Sequence, residues 1–157
     1  MNLYIFTLLC HSYVRWAVLA AVVWMIALSA SGRLQKRVWT TLDERSHKLV
    51  VGAADLQFTL GVILYLFLSP FSQTFFASPG LGLRESILRF FGLEHALGMF
   101  IGVSLVHLGR TLSLRASSAA QRHKRTFICT ACALLVMLGS IPWPFLPYGR
   151  PLLRVLS

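Results

Sequence analysis

Four stretches of this chain, residues 3–31, 49–68, 90–108 and 126–141, carry only three fully charged side chains between them: Arg15, Asp55 and Glu94. A span of about 20 apolar residues in a helix matches the hydrocarbon thickness of a bilayer. In lipid the backbone must satisfy its own polar groups, so segments of this kind are helices. The predicted fold is therefore all-α, a polytopic membrane four-helix bundle. A single membrane domain, 1–157, holds transmembrane helices at about 8–31, 49–68, 90–108 and 126–142.

The rest of the sequence agrees with a lipid solvent. Charged residues make up 13% of the chain, about half the share a water-soluble domain uses to cover its surface. The second apolar run stops at Ser69-Pro70 and the fourth at IPWPFLPYG, where proline removes a backbone donor and cannot continue a regular helix. Basic residues follow the first run rather than precede it, which marks a stop-transfer flank instead of a cleavable leader.

A net charge of +10 invites a nucleic-acid reading, but its placement points elsewhere. Ten of the fifteen basic residues lie in two short connections, Arg33, Lys36, Arg37, Arg45 and Lys48 in one, Arg110, Arg115, Arg122, Lys124 and Arg125 in the other. Cationic loops beside membrane helices orient a protein with those loops in the cytoplasm. Both termini and residues 69–89 are then expected on the opposite side of a bacterial inner membrane, in a multi-pass protein with membrane lipids as its surroundings and no nucleic-acid partner. The basic third loop can also lie against anionic headgroups.

Polar groups inside apolar runs need partners and mark function or interhelical pairing. His11 and Arg15 share a helix face at i and i+4, Asp55 and Gln57 belong to the second run, and Glu94, His95 and His107 to the third. Pairing alone accounts for several: Arg15 with Glu94 toward the outer side, and Asp55 with Arg110 or His107 toward the inner side. Gly98 and Gly102 form a small-xxx-small pattern that allows another helix, or a flat cofactor, to approach closely. Cys129 and Cys132 read as packing residues, with no second cysteine pair to complete a metal site.

The histidines suggest a haem. Neutral imidazole is a good axial ligand, and the absence of CxxCH argues against ordinary covalent c-type attachment without bearing on haem b. His95 and His107 are separated by about 18 Å and about 120° of rotation on a straight helix, so they cannot share one iron. His11 with His95 is the candidate pair for one haem b, and His47 with His107 the pair for a second. Arg15 or Arg110 can meet the haem propionates, because guanidinium matches carboxylate geometry. His123, in the run RHKR, reads as a loop residue.

The segments HSYVRW (11–16), DLQFTLGVILY (55–65), GLEHALGM (92–99), HLGR (107–110) and IPWPF (141–145) resemble small four-helix bacterial inner-membrane proteins commonly labelled cytochrome b or cytochrome b-like. The resemblance spreads over most of the chain and implies a membrane bundle engaged in electron transfer. It draws attention to His11, Arg15, Asp55, Gln57, Glu94, His95, His107 and Arg110. The expected function is a small b-type cytochrome or haem-bearing membrane subunit that moves electrons, between a quinol and a partner protein for example. Two rival readings stand beside it: a structural or assembly subunit of a larger membrane complex, and a small transporter or proton-conducting protein. Other membrane subunits, or further copies of this chain, are the expected protein partners.

Overall fold

The structure, a computed structural model, describes residues 2–153. Helix α1 covers Leu3–Leu34 and begins where the Asn2 side chain accepts the Tyr4 N–H at 2.9 Å. Lys36, with φ of 51°, turns the chain out of the helix in the left-handed conformation often found after a helix C-terminus. Helix α2, Thr41–Ile63, starts with a capping box: Thr40 accepts from the Asp43 backbone, and the Asp43 carboxylate accepts from the Thr40 backbone at 2.8 Å. Arg37 clamps the same buried carboxylate through two N–H groups, at 2.5 and 2.7 Å, and this bond holds its guanidinium pKa above the ordinary value.

Helix α2 widens into a π-helical turn, Leu64–Leu68, and ends as Ser69 becomes extended ahead of Pro70. The connection expected over residues 69–89 contains three short helices: α3 (Pro70–Ala77), α4 (Pro79–Arg84) and α5 (Ser86–Arg89). The first two place proline at the opening position, where its missing N–H has no helical role. A second π-helical turn, Phe90–Glu94, leads into α6, His95–Leu114, and α7 spans Ala119–Gly139.

Helix α1 packs on α2 and α7, and α6 packs on the same two, so each long helix has two neighbours around a shared core. Val18, Val22 and Met25 of α1 meet Val50 and Ala54 of α2, Val106 of α6, and Ala133 and Met137 of α7 there. Close approach of α6 to α7 rests on glycine. A Cβ at Gly102 would lie 2.8 Å from Met137 Cγ, and one at Gly109 would lie 2.8 Å from Cys129 Cβ. Gly98 faces the Ser140 hydroxyl in the same way, so the glycines expected to permit close packing serve the α6–α7 contact.

Three segments are long and apolar enough to cross a membrane: Leu3–Leu34, Thr41–Leu68 and Ser86–Leu114. Large apolar side chains on their outer faces, such as Trp24 at 50% and Phe67 at 67% exposure, suit contact with acyl chains. Helix α7 carries Arg122, Lys124 and Arg125 in its first turns. Its apolar remainder, residues 126–139, is about 21 Å long against a hydrocarbon core of about 30 Å.

Two sequence expectations need correction. His123 is a fully buried residue of α7, not a loop residue; its ring packs 5.0 Å from that of Trp39 and against Gly32, because α1 approaches α7 there without a side chain between them. Arg15 does not pair with Glu94. Glu94 accepts from Arg89, five residues earlier, at 2.7 Å, while Arg15 donates to the Leu152 carbonyl at 2.6 Å.

Candidate functional site

A cavity of about 390 Å³ lies between α1, α2, the two π-helical turns and α6, with part-buried polar side chains on an otherwise apolar wall. That volume falls in the range of small-molecule sites. Helix α1 contributes His11 and Arg15 one turn apart, α2 contributes Gln57 and Gly61, and α6 opens with His95. Tyr65 and Arg150 also line the wall, and most of the remaining surface is aliphatic or aromatic.

His11 and His95 face each other with ring centroids 6.4 Å apart and planes at 74°. Each ring is held. His95 Nδ1 lies 2.7 Å from the Ser140 carbonyl, which only accepts, so Nδ1 carries the proton and Nε2 keeps its lone pair. The Ser140 oxygen is available because α7 ends at Gly139, which leaves the carbonyls of its last turn without helical partners. His11 Nε2 sits 3.2 Å from the Gln57 amide. Gly61, one turn further along α2, makes room for the ring, since a Cβ there would stand 3.2 Å from His11 Cε1.

The π-helical turns shape the outer wall. An extra residue in a helical turn changes the direction in which every later side chain of that helix points, and such turns recur at functional sites. Glu94 ends the second of them and is exposed, whereas the next residue, His95, lines the cavity. The Tyr65 hydroxyl in the first turn donates to the Gly92 carbonyl in the second at 2.7 Å, joining the two. Phe90 and Phe91 pack within 5.7 and 6.1 Å of the His95 ring. Tyr148 stacks on Phe90 at 3.8 Å, which fixes the segment after α7 over this end. Arg150 then lies over the Phe71 and Phe91 rings, at 4.7 and 5.3 Å.

The second histidine pair does not meet. His107 Nε2 bonds Asp55 at 2.7 Å, with both side chains about half exposed on the outside of α2 and α6; this is one of the two partners expected for Asp55. His47 is fully buried beside Trp39, at 6.1 Å between rings. Arg110 also stands apart from the cavity: with Arg122 it binds Glu44, which accepts from Trp39 as well. This inner cluster ties the first connection to α2, α6 and α7.

Among the described residues no group of three or more histidine, cysteine, aspartate or glutamate side chains is placed to hold a metal ion. His11 and His95 are the residues that would hold a haem: their rings lie 6.4 Å apart on the cavity wall, and His95 Nε2 keeps a free lone pair. Arg150 and Ser140 were not singled out in sequence, and Tyr65 and Gly61 stood there only as members of the 55–65 segment. Ser140 acts through its backbone, which carries no sequence signal, but an arginine within an aromatic and proline-rich tail was a usable one.

Comparison of the chain with protein-family models, with curated proteins and with solved structures finds no match.

Proposed function

We propose that this chain is a small b-type cytochrome of a bacterial inner membrane, which holds one haem b between His11 and His95 and moves electrons within the membrane, between a quinol and a partner protein. The observation that carries this reading is the His11–His95 pair, an edge-on ring contact on the wall of a largely apolar cavity. When bound, haem supplies the one-electron chemistry, and the protein supplies position and environment.

Each neighbouring residue has a part in that reading. Ser140 fixes the His95 tautomer so that Nε2 is the donor nitrogen, an outer-shell bond of the kind that orients metal-bound histidine. Gln57 holds the His11 ring through the opposite kind of bond, its amide N–H donating to Nε2 at 3.2 Å. Arg15 and Arg150, both on the cavity wall, present guanidinium groups suited to propionate carboxylates. Phe90, Phe91 and the tail stacked on them exclude water from the outer end. One haem rather than two is favoured by the separation of His47 from His107.

In the membrane the chain is a four-helix bundle with α7 as its fourth crossing and both termini outside the cytoplasm. Helix α7 packs along both α1 and α6, whose lengths suit a crossing. Its short apolar part is extended by residues 140–143, while Arg122, Lys124 and Arg125 reach the inner headgroups with their long side chains.

The deciding measurement is the oxidised and dithionite-reduced visible spectrum of the detergent-purified protein, with haem quantified against protein. A reduced b-type α band at near one haem per chain is expected. His95→Ala should lower haem content at least about tenfold, whereas His107→Ala should leave it intact. A folded wild-type protein without a haem band would overturn the reading and leave a structural subunit as its successor.

A further inference from the structure

Asp55 and His107 occupy an unusual place for a bonded acid and base. Lys48 is the last cationic residue before Asp55 on α2, about 10 Å away along the helix, and the side chains between them are apolar apart from Gly52. The pair nevertheless points away from the core, with exposures of 51% and 49%. Ionisable groups at this depth almost always face protein or a water-filled cavity, because acyl chains solvate them poorly.

The surrounding surface repeats the anomaly on both helices. Gly52, Asp55 and Thr59 follow i, i+3, i+7 spacing along one face of α2, and Ser104, His107 and Thr111 follow the same spacing along α6. All six are exposed. Gly52 adds an independent sign. The Cβ missing at Gly98, Gly102 and Gly109 is explained by α7, but a Cβ at Gly52 would meet nothing within 4 Å, although glycine within a helix costs about 1 kcal/mol relative to alanine. By contrast, the exposed faces of α1 and α7 at comparable depth present Ala20, Val23, Ile128, Cys132 and Leu135, with no ionised or hydroxyl-bearing side chain among them.

We infer that the outer α2–α6 face is the contact between two copies of this chain in the membrane. Helices α2 and α6 run antiparallel, as the pairs Glu44–Arg110, Asp55–His107 and Tyr65–Gly92 show. A two-fold axis along the membrane normal keeps every residue at its own depth and sets α2 of one copy against α6 of the other. Asp55 of each copy then meets His107 of the other, and Gly52 meets Thr111. The face is self-complementary, as a closed two-fold interface requires. Small and hydroxyl-bearing residues at its centre permit close backbone approach and interhelical hydrogen bonds. This contact is independent of haem binding.

The test uses the full chain in lipid. Single-molecule photobleaching of dye-labelled wild-type protein in dilute vesicles should give two steps. On a background with Cys10, Cys129 and Cys132 replaced by alanine, differently tagged Gly52→Cys and Thr111→Cys forms are co-expressed and oxidised in native membranes. A mixed disulfide is expected, and none when Leu135→Cys replaces either. The double substitution Asp55→Leu/His107→Leu should weaken dimerisation about tenfold while preserving the thermal transition of the monomer. One-step photobleaching at all lipid dilutions, coupling through the Leu135 face, or cross-linking of Gly52→Cys to a different protein alone would overturn the proposal.

Discussion

His95 and His107 belong to one helix and meet opposite surroundings. His95 lines the cavity with its proton directed to Ser140, and His107 lies on the outer surface bonded to Asp55. Twelve residues of α-helix rotate a side chain by about 120°, enough to carry it from the interior to the exterior. The other buried histidines are structural in character. His123, between Trp39 and Gly32, lies before the apolar part of α7, and burial depresses its pKa below 6.5. A depressed histidine pKa favours the neutral form in the folded state, so its contribution to stability is present above pH 6.5 and lost as pH falls below it. The Tm of the detergent-solubilised protein should fall between pH 7 and pH 5, and His123→Phe should reduce that fall. An equal pH dependence in the variant would remove His123 from this role.

At the scale of elements, the ends of the helices do most of the positioning. The two π-helical turns place His95 and close the outer wall, and the abrupt end of α7 frees the carbonyl that orients His95. At the inner end, the Thr40–Asp43 capping box and the Arg37 clamp fix the start of α2 relative to α1. Asp43→Ala removes both the reciprocal cap and the acceptor of a guanidinium bonded through two N–H groups. Loss of a cap costs about 1 kcal/mol and loss of a charged hydrogen bond about 1.5–3 kcal/mol, so a destabilisation of about 3 kcal/mol is expected in denaturant titration. The visible spectrum of material that remains folded should be unaffected, because the cap and the cavity lie at opposite ends of α2. A destabilisation below about 0.5 kcal/mol, the range of neutral surface changes, would show that the clamp is dispensable.

For the whole molecule, the proposed four-crossing orientation puts Ser117 and Ser78 on opposite sides of the membrane. With the native cysteines replaced by alanine, a membrane-impermeant thiol reagent applied to intact spheroplasts should label Ser78→Cys and spare Ser117→Cys until the membrane is permeabilised. Labelling of both in intact cells would reject the four-crossing topology. The helical, membrane-spanning character was legible because it arises from composition along the chain: apolar runs of bilayer length, proline stops and basic flanks act locally. His11 and His95 were legible as candidates for the same reason, since ionisable groups are rare in such runs. What the sequence by itself determined was therefore the set of lipid-compatible helices and the residues that lipid cannot solvate. Only the tertiary structure decided their partners: Ser140 for His95, Gln57 for His11, Arg89 rather than Arg15 for Glu94, and the burial of His123 against Gly32. Those pairings depend on helix rotation, on the added residue in each π-helical turn and on contacts between distant segments. None of these is encoded in local spacing.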